Sequence, residues 1–215
     1  MTEVSSLTGR LLVATPVLAD PNFDRAVVLL LDHDAEGSLG VVLNRPTPVD
    51  VGDILEPWAA LAGEPGVVFQ GGPVSLDAAL GVAVVPASQG SGHADGERPE
   101  AEQDGGGPSG AAGEEGRDGP LGWRRVHGAI GLVDLEAPPE LLAAELGSLR
   151  IFAGYAGWGP GQLEKELSEG AWYVVESEPG DVSSPSPERL WRSVLRRQRS
   201  ELAMVATYPD DASLN

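Results

Sequence analysis

Residues 152–167 read FAGYAGWGPGQLEKEL, a short apolar strand joined to a helix through four glycines and a proline. Gly154, Gly157, Gly159 and Gly161 alternate with Tyr155 and Trp158. Bulky rings are therefore interleaved with positions where the backbone can turn to positive φ, or approach a neighbour with no Cβ in the way. From Leu163 a helical pattern resumes, with Glu164 and Glu166 in its first turns, where carboxylates suit the helix dipole. Residues 149–153 predict the strand that enters this stretch, and 171–175 (AWYVV) the strand that leaves it. Strand, helix and strand in that order predict a βαβ unit within a mixed sheet.

The remainder of the chain supplies further strands. Residues 7–15 (LTGRLLVAT) form a compact apolar run that predicts a buried strand. The runs 27–31 and 39–43 are rich in Val and Leu, and the DHDAEGS segment between them has turn chemistry, so two antiparallel central strands are expected. Asn44, Arg45, Pro46 and Pro48 give that unit a rigid, extended exit. Residues 51–62 carry helical spacing shortened or kinked by Pro57. Residues 67–70 predict a strand running into Gly71, Gly72 and Pro73, and 80–85 another that Pro86 stops. Apolar alternation resumes at 123–133 around Gly128 and Gly131. A helix is expected over 139–146 and a longer one over 184–202, with Ser186 as its cap, Pro187 at the first position and Leu190, Trp191, Val194, Leu195 and Leu202 as its apolar stripe.

These segments carry a resemblance. Leu11, Leu12, Pro16, Asp20, Phe23, Val27, Val28, Gly40, Val41, Leu43 and Asn44 keep an order and spacing similar to the N-terminal pattern of the YqgE/AlgH family. The Gly71, Gly72, Pro73 turn and the 152–167 stretch resemble the same family. Its members are widespread in bacteria and often labelled transcriptional regulators, without an established biochemical activity. The resemblance implies a single α+β domain in which a mixed, strongly bent β-sheet forms a pseudo-barrel flanked by helices. Periodicity alone gives only the mixed α and β class.

Residues 87–120 depart from this pattern, with ten glycines, eight acidic residues, Arg98 and Arg117 as the only bases, and nothing apolar larger than Ala. Such a segment buries too little apolar surface to offset an ordering entropy of roughly 1–2 kcal/mol per residue, and disorder is expected. One domain interrupted by this insertion is therefore the expected organisation. A flexible acidic tail is expected over 208–215.

Composition narrows the function classes. The chain has no cysteine, which excludes disulfides, thiolate metal sites and cysteine nucleophiles, and its three histidines leave little for a zinc site. No apolar run approaches the ~18 residues of a membrane span, the first residues lack a signal-peptide pattern, and the cytoplasm is the expected compartment. The net charge is −19, of which the insertion carries −6 and leaves −13 on the folded part. A duplex would be repelled by that field unless a local basic patch overcame it. The one candidate patch is the 184–202 helix, whose second face carries Arg189, Arg192, Arg196, Arg197 and Arg199. That face has an alternative reading, as a solvated surface pairing with the acidic body.

Candidate sites follow from the same features. In a functional reading of the 152–167 stretch, glycine amides near Gly159 and Gly161 form a nest, Tyr155 and Trp158 supply walls, and Gln162 supplies an orienting amide. In a structural reading the glycines permit close packing and the rings fill the core. Gly71, Gly72 and Gly154 join either reading. Asn44 and Arg45 are the best polar pair to face a cleft, although Asn44 serves a strand end equally well. Asp32, His33 and Asp34 suggest metal ligands or an acid and base pair, but a hard cation needs more oxygen ligands than this turn offers. Among Ser38, Ser75 and Thr15 no nucleophile elbow exists, and no histidine shows an orienting partner.

The expectation is thus a non-catalytic regulatory or adaptor protein that binds a protein or small ligand. No cofactor is implied, direct nucleic-acid binding is disfavoured by charge, and no membrane is involved. The alternatives are a small-molecule enzyme using Asp32, His33 or Asn44, and DNA binding through the Arg189 to Arg199 face.

Overall fold

A computed structural model describes residues 6–86 and 119–209. The insertion 87–120, except for its last two residues, and the tail beyond Pro209 lie outside the described residues. One curled sheet of ten strands contains every strand described. Its first five strands are β1 (Leu11–Ala14), β2 (Val27–Asp34), β3 (Gly37–Val42), β4 (Pro46–Asp50) and β5 (Val67–Gln70). The rest are β6 (Val74–Val84), β7 (Trp123–His127), β8 (Ile130–Val133), β9 (Ser148–Trp158) and β10 (Trp172–Val175). The path runs β10-β1-β2-β3-β9-β6-β8-β7, with β5 also paired to β9 and β4 to β5. All pairings are antiparallel except β5 with β9, so the sheet is mixed and bends into the half-barrel of an α+β fold.

The bend is built on β9. Its Leu149–Ala153 part faces β6 on one edge, while Phe152 and Ala153 pair with β5 on the other and Ala156 to Trp158 pair with β3. One strand thus belongs to both halves of the sheet, and it turns between them at Gly154, where φ is +72°. A Cβ there would sit 2.7 Å from the Val74 carbonyl oxygen and 2.9 Å from that of Gly72, both below contact distance. The glycines expected to join a strand to a helix are therefore divided. Gly154 and Gly157 lie inside β9, and only Gly159 and Gly161 form the turn.

The five short helices are α1 (Val51–Ile54), α2 (Gln162–Ser168), α3 (Pro179–Val182), α4 (Leu190–Arg196) and α5 (Leu202–Val205). They cover both faces of the sheet. Inside the curl, Leu11, Val13, Leu29, Val41, Leu43, Phe69 and Phe152 pack on Trp191, Val194 and Leu195 of α4. On the outer face Leu12, Val28, Leu30, Val42 and Trp158 pack on Leu163 of α2 and on Trp172. With both faces buried, β1 and the first half of β2 are continuous apolar runs rather than alternating ones. A third cluster fills the far face of the other half, around Trp58, Val68, Leu149 and Ile151.

The β9-α2-β10 segment is a crossover between parallel strands, as expected, but its strands are separated by β1, β2 and β3. Three expected helices are shorter than their periodicity suggested. Residues 51–62 divide into α1 and a 3-10 turn that Pro57 starts, and 184–202 divide into a 3-10 turn at Pro187–Arg189, α4 and, beyond Arg199 at φ +20°, α5. Over 139–146 only Pro139–Leu141 is a helical turn. Ser186 precedes its helix without a side-chain cap bond.

Two cations, Arg150 buried and Arg197 half-buried, tie the loops down. Arg197 grips Asp181, which is 3% exposed, with bonds of 2.5 and 2.7 Å. Arg150 is 2% exposed, donates to the Glu64 and Ser184 carbonyls at 2.7 and 3.0 Å, and lies 4.3 Å over the Phe69 ring. Burial lowers its pKa to about 10, which leaves the guanidinium charged at neutral pH.

Gly154→Ala combines a left-handed backbone with two carbonyl contacts, and a loss of about 3 kcal/mol is expected. Gly161→Ala shares the φ of +72° but meets nothing within 4 Å, and about 1 kcal/mol is expected there. Urea midpoints for the two variants check this. Equal losses would show that the close approach at Gly154 is no constraint.

Candidate functional site

The residues singled out in the sequence fall into three places. The first is the turn after β9. Gly161 enters α2 at φ +72°, and the Gln162 side chain accepts from the Gly159 amide at 3.1 Å while donating to Glu166 at 3.2 Å. The other oxygen of Glu166 accepts from two indoles, Trp158 Nε1 and Trp172 Nε1, each at 2.9 Å. Phe23 stacks on Trp158, and both Phe23 and Trp158 meet Trp172 edge to face. Trp158 is 5% exposed. Its ring is core and its only polar atom is spent on Glu166.

The second place is the backbone contact behind Tyr155. Gly71 donates to the Ala153 carbonyl at 2.9 Å, and its own carbonyl accepts from Val42 at 2.8 Å. A Cβ on Gly71 would meet the Gly154 oxygen at 2.3 Å, and one on Gly72 would meet the Tyr155 carbonyl at 2.2 Å. Gly71, Gly72 and Gly154 thus let two chain segments touch directly, and Tyr155 packs against the interior cluster.

Asn44 and Arg45 occupy the third place, a cleft of about 310 Å³ lined also by Asp24, Arg25, Glu188, Trp191 and Arg192. Asn44 is 7% exposed and serves the strand end as well. Its Oδ1 accepts from the Val27 amide at 3.0 Å and its Nδ2 donates to the Arg25 carbonyl at 2.9 Å. That grip holds Arg25 at φ +51°, a conformation uncommon for a long side chain. The Arg25 guanidinium lies 4.8 Å over the Trp191 ring, and Arg192 lies 5.8 Å from the same ring. Trp191 is itself fixed, 3% exposed, with Nε1 donating to the Ala14 carbonyl at 2.9 Å. Arg25 donates to the Pro209 carbonyl, and Arg192 to those of Ala206 and Tyr208, which lays the C-terminal segment beside the cleft. Arg45 donates to the Asp24 carbonyl, and burial pushes its pKa down against the opposing pull of the Asp24 carboxylate.

The acidic hairpin tip differs from its sequence reading. The DHDAEGS connection is mostly ladder, with His33 directly opposite Ser38 and Asp34 opposite Gly37. His33 does have partners: Nδ1 lies 2.8 Å from Ser38 Oγ and Nε2 lies 3.6 Å from Glu164. Its side chain is 1% exposed, so the ring braces the hairpin against α2. Asp32 and Asp34 face solvent, and among the described residues no group of three or more His, Asp or Glu side chains could hold a metal ion.

The five arginines near α4 do not share one surface. Arg197 is committed to Asp181 and Glu178, and its pKa is raised first by the hydrogen bonds to Asp181. Arg192 belongs to the cleft, while Arg196 and Arg199 line a separate groove with Glu176 and Glu178. Sequence reasoning missed Asp24, Arg25 and Trp191 as companions of Asn44 and Arg45. The antiparallel register that sets Val28 against Val42 could have found the first two, because extending it brings Asp24 and Arg25 to the end of the hairpin where Asn44 and Arg45 leave it.

A family model described as AlgH-like matches residues 11–203. UPF0301 proteins of Streptomyces avermitilis and Streptomyces coelicolor are 80% and 79% identical to the chain over 215 residues, covering 100% of it and 98% of each relative. That of Thermobifida fusca is 44% identical over 219 residues, covering 98% of the chain and 96% of the relative. Among solved structures, a crystal structure of a Corynebacterium diphtheriae protein superposes with a TM-score of 0.76 at 29% identity, over 94% of this chain and 92% of that one. The solution structure of AlgH from Pseudomonas aeruginosa shares the fold, with a TM-score of 0.60 at 23% identity over 99% of both chains.

Glu166→Ala leaves two buried indole donors without an acceptor, and a loss of about 3 kcal/mol is expected. Glu166→Gln keeps a carbonyl acceptor and should lose less. Urea unfolding followed by tryptophan emission measures both, and an alanine variant as stable as the parent would remove Glu166 from the account of the signature.

Proposed function

Because this chain belongs to the AlgH-like family, whose curled sheet it shares, we propose that it is a non-catalytic cytoplasmic regulatory or adaptor protein that acts by binding a ligand in the cleft at Arg45. The observation that carries this reading is the convergence of Arg25, Arg45 and Arg192 from three chain segments onto one concavity, in a protein of net charge −19. Isolated arginines on such a surface would spread towards carboxylates. Here three are gathered by side-chain and backbone contacts that fix their positions. The signature stretch supports the reading indirectly. Trp158 and Gly154 are consumed by packing, whereas Asn44 and Arg45 are a candidate pair that borders open space. Regulation through direct DNA contact is the weaker reading, because Arg197 is engaged with Asp181 and the arginines of the 184–202 segment divide between two concavities rather than forming one basic face.

A thermal-shift screen of the full chain against a metabolite collection tests the proposal, repeated on Arg45→Ala and on Gln162→Ala. A ligand at about 100 times its dissociation constant stabilises by about 2.7 kcal/mol, which moves the midpoint by roughly 5–10 °C for a domain of this size. The shift should vanish in Arg45→Ala and survive in Gln162→Ala. The opposite pattern would move the site to the signature turn, and a collection that shifts neither protein would leave only protein partners for the adaptor role.

A further inference from the structure

The cleft has a chemistry that its shape does not dictate. Three guanidinium groups line it against two carboxylates, Asp24 and Glu188, so its local charge is opposite in sign to that of the whole chain. Glu188 is partly engaged outside the cleft by the exposed Arg189, at 4.0 Å. Like charges brought together at the end of a strand pair repel, and the fold does nothing to separate them. On the contrary, Arg25 is held in a left-handed conformation by Asn44, and such strain persists where the surrounding structure over-determines it. The Arg25 guanidinium lies over the Trp191 ring, and that ring is itself held by the bond from its indole to Ala14. Arg45 is the third cation. Its burial lowers its pKa, and the neighbouring Asp24 carboxylate offsets only part of that cost.

Resting on the binding reading above, we propose that the cleft is a site for a small oxyanion, a phosphate or carboxylate group carried by a ligand of metabolite size, held by Arg25, Arg45 and Arg192. Planar guanidinium forks match the paired oxygens of either group, which an ammonium cannot do as well. A concavity of about 310 Å³ is of a size that accommodates a small metabolite. Arg192 donates to the carbonyls of Ala206 and Tyr208 and Arg25 to that of Pro209, bonds that use part of their donor capacity and hold both groups in place on the cleft's C-terminal side.

The test is titration of the full chain, labelled with ¹⁵N, with three probes: inorganic phosphate, succinate, and succinamide as the uncharged counterpart of succinate. The Trp191 indole resonance and the amides of Arg25 and Arg45 report on the cleft. At least one of the two anions should shift them saturably, and which one binds tells phosphate from carboxylate. Succinamide should not bind. Arg45→Gln and Arg192→Gln should each weaken that anion by about tenfold or more, and Arg45→Lys should recover only part of the loss. Arg196→Gln, in the separate groove, should bind as the parent does. Arg192→Gln also removes bonds to the C-terminal segment, so a misfolded Arg192 variant leaves Arg45→Gln as the deciding one. Equal shifts from succinate and succinamide would overturn the oxyanion assignment while leaving a cleft that binds ligands. Absence of saturable shifts from either anion, or anion binding unchanged in Arg45→Gln, overturns it too. Failure of the wider binding reading shows separately, as a metabolite screen with no response sensitive to Arg45.

Discussion

The fold depends on the direct contact between Gly71–Gly72 and Gly154–Tyr155. At that point β9 leaves one half of the sheet and enters the other, and its backbone must touch the turn after β5 as it does so. The Gly71 amide and carbonyl bridge Ala153 and Val42, so the hydrogen-bond ladder continues through the turn where a side chain would open a gap. Everything on either side follows from this approach. β5 lies parallel to β9 because the turn delivers it there, and the two halves can curl towards each other because the strand they share changes direction without losing its partners.

Charge is arranged around that frame with a consistent logic. Acidic residues crowd the surface, whereas several cations are drawn inward. Arg150 is buried against Phe69 and two carbonyls, and Arg197 is locked onto a buried aspartate. The β2–β3 hairpin is polarised along its length, with Asp32, Asp34 and Glu36 at its tip and Arg25 and Arg45 at its open end. The net charge of the chain is thus negative while two of its concavities gather three arginines each beside two carboxylates.

What the sequence revealed was local. The LLVAT and Val-rich runs were readable as strands because burial on both faces removes any need for alternation, and Pro57 announced its helix break. The resemblance to a known family supplied the bent, mixed sheet that periodicity could not. Long-range facts stayed hidden. Glu166 lies between Trp158 and Trp172 in the chain, but no local pattern indicates that both indoles will donate to it, since β9 and β10 are separated by three strands of the sheet. The DHDAEGS segment read as a loop because its residues are polar, yet a solvated ladder needs only one apolar face or a satisfied one, and His33 with Ser38 supplies the latter. Asn44 carried two readings, strand end and cleft wall, and the geometry gives it both. The cleft itself joins residues 24–25 and 44–45, which the hairpin register connects, to 188–192, which no spacing rule reaches.

The pairing of β1 with β10 sets a schedule for synthesis. Leu11–Ala14 emerges early from the ribosome, yet the strand that covers its open edge, Trp172–Val175, is translated more than 150 residues later. At typical elongation rates of about 5–20 residues per second, that edge waits for roughly ten to thirty seconds with its ladder groups unpaired. An apolar strand in that state is a template for its neighbours on a polysome. The nascent chain therefore stays vulnerable at this edge until β10 has been made, and its pairing ends the exposure.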